Sequence, residues 1–151
     1  MNNKLFFPFL ALFLLLAMGA YFLLNPSYEK SIQAKYYYET GSYKEAYVLA
    51  NEAFSVDIYN RMASTIMAQS KTALKYADYI NTAKNYMKEI NEIATHETIS
   101  APEKAKIRMM CEIMVDSYVK LAPSVITNIE LVDEATLYYK DFEKLLEKVN
   151  R

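Results

Sequence analysis

Residues 5–24 read LFFPFLALFLLLAMGAYFLL, twenty consecutive residues without a charge. As a helix rising about 1.5 Å per residue, the segment is roughly 30 Å long, the thickness of a bilayer's hydrocarbon core. A small domain has no means of burying such a helix on every side, and water solvates it poorly. The pattern therefore predicts a membrane attachment. Two forms of it are open. A cleaved signal peptide needs a charged start, a shorter apolar stretch and a small-x-small site; Lys4 supplies the charge, and Ala17, Met18 and Gly19 a passable site before Ala20. Against cleavage, the apolar run continues through Tyr21, Phe22, Leu23 and Leu24, and Tyr21 suits an interfacial anchor. The reading adopted is a retained anchor over residues 1–25.

Orientation rests on weaker signals. Lys4 and the terminal amine stand on one side, with Lys30 and Lys35, offset by Glu29, on the other. A short tail ahead of a long apolar run behaves as a signal anchor. The expectation is a single pass through the inner membrane of a cell, with the C-terminal bulk periplasmic or otherwise extracytoplasmic.

The remainder, residues 26–151, has the length of one domain with a modest core. Lysine and arginine total 17 against 18 acidic residues, and both signs are interspersed. Nucleic-acid binding requires a concentrated positive face, and the sequence shows none. The single Cys111 excludes an internal disulfide and lies in an apolar stripe that suits burial. Two glycines and four prolines leave little material for tight β turns, so long helices with short joints are expected.

Punctuation divides the domain. Asn25 and Pro26 open a helix over residues 26–39, which Thr40 and Gly41 close. Ser42 with Glu45 reads as a capping box for the next helix, whose apolar face is Tyr43, Ala46, Tyr47, Ala50, Ala53 and Phe54. A third helix is expected over residues 58–74, a joint at residues 75–78, and a fourth helix from Tyr79 to about Thr95. Ser100 with Glu103 forms a second capping box, with Pro102 in the first turn. The fifth helix carries Ile107, Met110, Cys111, Met114, Tyr118 and Leu121, and Ala122, Pro123 and Ser124 break it. Thr127 with Glu130 gives a third capping box for a last helix. No segment alternates with period two for long enough to argue a strand, so the fold class is all-α.

Residues 34–57, AKYYYETGSYKEAYVLANEAFSVD, resemble the tetratricopeptide repeat, whose helix pairs stack into a superhelix. On that resemblance Ala34, Ala46 and Ala53 are the small close-packing positions, Tyr37 fills the hairpin contact, and Gly41 occupies the turn. Tyr43 packs back on the turn, and Phe54 is the large residue after the second alanine. Lys30 and Ile58 depart from the pattern, standing where the repeat prefers an aromatic and a proline. The resemblance implies a TPR-like array of about six helices in three antiparallel pairs after the anchor. It also implies a protein–protein interaction module, a scaffold or assembly factor, that takes a peptide or helix in a groove. The groove would be lined by Ser31, Lys35, Tyr38 and Glu39, followed by Met62, Thr65, Gln69 and Thr72. Tyr36, Tyr37 and Tyr38 stand about 100° apart in turn around their helix, so they cannot all face one core. The alternative for Tyr36 and Tyr38 is that they cover the domain near lipid headgroups.

Catalytic patterns are not evident. His96 and Cys111 are the sole residues of their kinds, one in a loop and one on an apolar face, and no serine has a nucleophile signature. Glycines at positions 19 and 41 alone exclude a phosphate loop. Asp133 and Glu134 point different ways on a helix and read as surface charge. The expectation is a protein that is no enzyme and holds no metal or cofactor. Two further functional classes stay open. One is a structural accessory subunit whose transmembrane helix packs in a larger membrane complex. The other is a secreted or periplasmic binding protein, should the N-terminal segment be cleaved.

Overall fold

The computed structural model describes residues 3–123 and 125–150, and of residues 3–5 and 22–24 the backbone alone. Six helices follow one another: α1 (Asn3–Leu24), α2 (Pro26–Glu39), α3 (Tyr43–Val56), α4 (Arg61–Ala94), α5 (Ala101–Val119) and α6 (Ile129–Asn150). Among the described residues there is no strand, and the fold is all-α. The chain divides into two compact units, Met1–Lys71 and Thr72–Arg151, with the boundary inside α4.

In the first unit, α1 exposes every described side chain, with Phe6, Phe9, Phe13, Leu16 and Tyr21 each more than half exposed. Among the described residues no single helix is long and apolar enough to cross a membrane. Phe6–Tyr21 and Pro26–Glu39 meet that length and composition only together, as a bent pair. The apolar run is thus helical, while the side chains at its ends, Leu5 and residues 22–24, lie outside those described. Asn25 ends α1 in an extended conformation, and its Oδ1 accepts the Ser27 backbone N–H at 2.9 Å, starting α2. Pro26 in the first turn forfeits no helical hydrogen bond there.

The α2–α3 hairpin is tight because its facing residues are small. Ala34 on α2 and Ala46, Ala50 and Ala53 on α3 are fully buried. Spaced three and four residues apart, they form one face that lets the backbones approach closely. Ile66 of α4 completes this core, with Tyr38, Leu49 and Met67 packed around it. The turn is a Schellman closure. Gly41 N–H donates to Tyr38 O and Ser42 N–H to Tyr37 O at 3.2 and 2.9 Å, with Gly41 at φ 82°. Ser42 stands at the N-cap of α3 but makes no side-chain capping bond. The expected Ser42–Glu45 box is absent for a physical reason: the Ser42 N–H that Glu45 would cap already closes α2.

In the second unit, α4 from Tyr76 to Ile93 shares one core with α5 and α6, built on Ile80, Ala83, Ile107, Met110, Cys111, Met114, Ala135 and Phe142. Phe142 and Cys111 are fully buried. Tyr118 stacks on Tyr139 with ring centroids 4.4 Å apart and bonds Thr136 Oγ1 at 2.8 Å. Ion pairs frame the core, Lys84 to Glu134 at 2.9 Å and Lys106 to Glu89 at 2.5 Å.

Two expectations fail here. The joint at residues 75–78 does not exist, and the expected third and fourth helices are one helix of 34 residues, so five helices rather than six follow Asn25. Lys75, Tyr76, Ala77 and Asp78 include no glycine or proline, and Tyr76 is buried within the core, so nothing interrupts the backbone ladder. At the start of α6, Asn128 rather than Thr127 takes the cap, its Oδ1 accepting Glu130 N–H at 2.9 Å. The Ser100–Glu103 box does form: the Glu103 carboxylate accepts Ser100 N–H at 2.8 Å and Ser100 Oγ–H at 2.6 Å. Ser124, part of the expected break before α6, lies outside the described residues.

Candidate protein-binding groove

The helical period alone brings Lys35, Tyr38 and Glu39 to one face of α2, and Met62, Thr65, Ile66 and Gln69 to one face of α4. What fixes the two faces against each other is a buried polar cluster at the base of the first unit. Asn60 is fully buried in front of α4, and its Oδ1 accepts Ala63 N–H at 3.1 Å as an N-cap. Its Nδ2 donates one hydrogen to Ser27 Oγ and the other to Ser31 Oγ, both at 2.8 Å. Ser27 Oγ–H then donates to Ala53 O, and Ser31 Oγ–H to Ser27 O, each at 2.8 Å. Each polar side-chain atom of the cluster has a partner, which is the condition under which buried polar groups hold one geometry.

With α4 seated this way, Lys35, Tyr38, Glu39, Arg61, Met62, Thr65, Ile66 and Gln69 line a concavity of about 450 Å³. Its floor is apolar: Ile66 is buried, Tyr38 is half-buried, and Met62 offers its flexible side chain. Its rim is polar, with Lys35 Nζ 3.7 Å from Glu39 Oε1 and the exposed Arg61 guanidinium at the first turn of α4. Burial, and then the neighbouring Tyr43, raise the Tyr38 pKa, so its hydroxyl stays neutral throughout the physiological range. Tyr38 and Tyr43 meet edge to face at 5.5 Å, which holds the Tyr38 ring.

Six of the eight residues expected on sequence grounds are brought together here: Lys35, Tyr38, Glu39, Met62, Thr65 and Gln69. Ser31 is not among them, because Asn60 draws it into the buried cluster. Thr72 opens the second unit and does not line the concavity. Arg61 and Ile66 were not expected there. Ile66 lies on the inner stripe legible in the sequence, whereas Arg61 gives no signal until the helix start at Asn60 is known. Of the other tyrosines, Tyr36 is 64% exposed and Tyr37 borders Lys44, Val48 and Leu49 on α3.

The second unit offers a concavity of about 490 Å³ lined by Lys84, Met87, Lys88, Asn91, Glu92, Thr95 and Tyr138. Met87 and Tyr138 are its apolar side chains, and the rest of its lining is charged, amide or hydroxyl, so its apolar part is smaller than that made by Tyr38, Met62 and the buried Ile66 in the first concavity. His96 Nδ1 donates to Glu103 Oε1 at 2.7 Å, at the capping box. The Glu103 carboxyl is held at about 2 by the Ser100 hydroxyl, the Ser100 backbone N–H and His96 in that order. The Cys111 thiol is buried, and burial followed by the nearby Glu112 charge raises its pKa, disfavouring the reactive thiolate. Among the described residues no three His, Cys, Asp or Glu side chains are placed to hold a metal ion. Compared with protein-family models, with curated proteins and with solved structures, the chain shows no significant match.

Proposed function

We propose that this chain is a membrane-anchored helical module that holds a segment of another protein in the α2–α4 groove, as a scaffold or assembly factor and not as an enzyme. The observation that carries the reading is the groove's composition. An apolar floor of Tyr38, Met62 and Ile66 lies within a rim of Lys35, Glu39, Arg61, Thr65 and Gln69. A tyrosine and a methionine in a concave site give large contact area and adaptable packing, while the rim sets orientation. The natural occupant is an amphipathic helix or extended peptide with an apolar ridge flanked by charge.

The resemblance of residues 34–57 to a tetratricopeptide hairpin supports the same reading. The buried positions Ala34, Ala46 and Ala53 are those where that repeat needs small residues. The uninterrupted α4 confines the likeness to the first helix pair and the helix that follows. Anchoring is supported by the exposed apolar side chains along α1, which water solvates poorly and lipid solvates well. An anchor raises the domain's effective concentration beside membrane partners, so a modest groove affinity suffices. The extracytoplasmic placement of the domain belongs to the same proposal.

The test is co-purification of the full chain from membranes. Lys35→Glu combined with Tyr38→Ala is expected to reduce recovery of a specific partner at least tenfold while leaving helicity unchanged. Equal recovery with both substitutions present would remove the groove from the account.

A further inference from the structure

The turn between α3 and α4 is unusual for what it leaves uncovered. Tyr59 is 85% exposed, Ile58 61% and Val56 55%. Three of its backbone N–H groups, by contrast, have partners close by. Asp57 N–H donates to Ala53 O at 3.1 Å, Asn60 N–H to Asp57 O at 3.1 Å, and Tyr59 N–H to the Asp57 carboxylate at 2.9 Å. With these three donors met and its tips apolar, the turn enters a water-poor layer at less cost than an open loop would.

The position of this turn is fixed by the buried cluster. Ser27 receives Asn60 and bonds Ala53, the residues that flank the turn on either side. Ser27 is also three residues past Leu24, so the two lie within about 11 Å across the extended Asn25. The exposed side chains of residues 56–59 therefore stand at the same end of the first unit as the exit of α1. Tyr21 stands there too, its hydroxyl accepting Asn25 Nδ2–H at 3.3 Å.

We infer that residues 56–59 form a second membrane contact, in which Ile58 and Tyr59 sit in the interfacial layer beside the point where α1 leaves the bilayer. The inference rests on the reading of α1 as a membrane anchor. Proximity to the exit of α1, through Ser27 and its bonds to Ala53 and Asn60, points to lipid as the occupant. Tyrosine is the appropriate residue, since its ring favours the headgroup level and its hydroxyl stays hydrated. Two contacts, one along α1 and one at the turn, define the tilt of the α2–α3 hairpin, and with it the direction in which the groove faces.

The chain contains no tryptophan, so single tryptophans report position without background. Full-length Tyr59→Trp, Leu15→Trp and Lys44→Trp proteins are reconstituted in phosphatidylcholine–phosphatidylglycerol vesicles carrying quenchers at the headgroup or deep in the acyl chains. Tyr59 is already exposed and aromatic, so its replacement leaves folding intact. The expected result is a blue shift for Tyr59→Trp with quenching by the headgroup label, and quenching of Leu15→Trp by the deep label. Lys44→Trp, at the opposite end of the hairpin, keeps a solvent-like spectrum. If Leu15→Trp is quenched while Tyr59→Trp stays solvent-like, the anchor stands and the second contact is overturned. If Lys44→Trp is quenched as strongly as Tyr59→Trp, a contact specific to this turn is overturned as well. If Leu15→Trp escapes the deep label, the anchor reading falls and the inference with it.

Discussion

Asn60 Nδ2 donates to Ser31 Oγ across 2.8 Å, joining residues 29 positions apart in a fully buried site. The same amide caps α4 through its oxygen and reaches Ser27 through its second hydrogen. One side chain thus sets where α4 begins, how it lies on α2, and where the floor of the groove falls. A purely apolar contact at this point would permit sliding, whereas directional bonds select one register.

Replacement of Asn60 by alanine removes a helix cap and leaves two serine hydroxyls short of a donor, a loss of about 2–4 kcal/mol in chemical denaturation. Asn60→Asp discriminates further. Aspartate caps helices as well as asparagine does, but it lacks both Nδ2 hydrogens and adds a buried charge. Asn60→Asp is therefore expected to be worse than Asn60→Ala. Equal or better stability for the aspartate would mean that Asn60 acts as a cap alone.

Gly41 holds φ at 82°, and open space surrounds the position a Cβ would occupy. The cost of Gly41→Ala is then a backbone cost alone, about 1–2 kcal/mol, while Gly41→Asn loses less. Thermal melts of the two variants check the order, and an alanine as stable as the parent would contradict the Schellman closure.

Phe142 and Cys111 share the core of the second unit. Phe142→Ala leaves a cavity costing about 3–5 kcal/mol. Because the Cys111 thiol is buried in the native state, its labelling by a thiol reagent reports the loosening directly. Labelling is expected to be slow in the parent and much faster in the variant, and fast labelling of the parent would contradict the burial of Cys111.

The Glu103 carboxyl sits at about 2 in the folded chain, below the ordinary carboxylate value near about 4.3. A lowered native pKa means that the stabilisation is fully present above the ordinary value and disappears as pH falls toward about 2. Melting points of the parent and of Glu103→Gln, followed from neutral pH into that acid window, should therefore converge as Glu103 protonates. A gap that stays constant would show that the capping box does not depend on the ionised carboxylate.

What the sequence revealed and what it hid divide along the range of the interactions. Asn25 with Pro26 and Thr40 with Gly41 announce their boundaries because the signals are local, and α2 begins and ends where those residues dictate. The alanine stripe of α3 was legible for the same reason. Non-local partners were invisible. Ser31 has the spacing of a groove residue, and only the approach of Asn60 turns it inward. Ser42 and Glu45 match a capping pattern, yet the Ser42 N–H is taken by the preceding helix. Residues 75–78 are expected as a joint between two helices, but burial of Tyr76 keeps the helix continuous. Arg61 was missed because its place in the groove depends on where α4 starts.

The most direct test of the groove is site-specific photocrosslinking of the full chain in native membranes. A photoreactive phenylalanine analogue is placed at Thr65 or Gln69 in the groove and at Val48 outside it. The account predicts one discrete adduct from both groove positions, its loss when Lys35→Glu and Tyr38→Ala are added, and no adduct from Val48. Adducts of equal strength from Val48, adducts that survive the two substitutions, or no adduct from either groove position would contradict it.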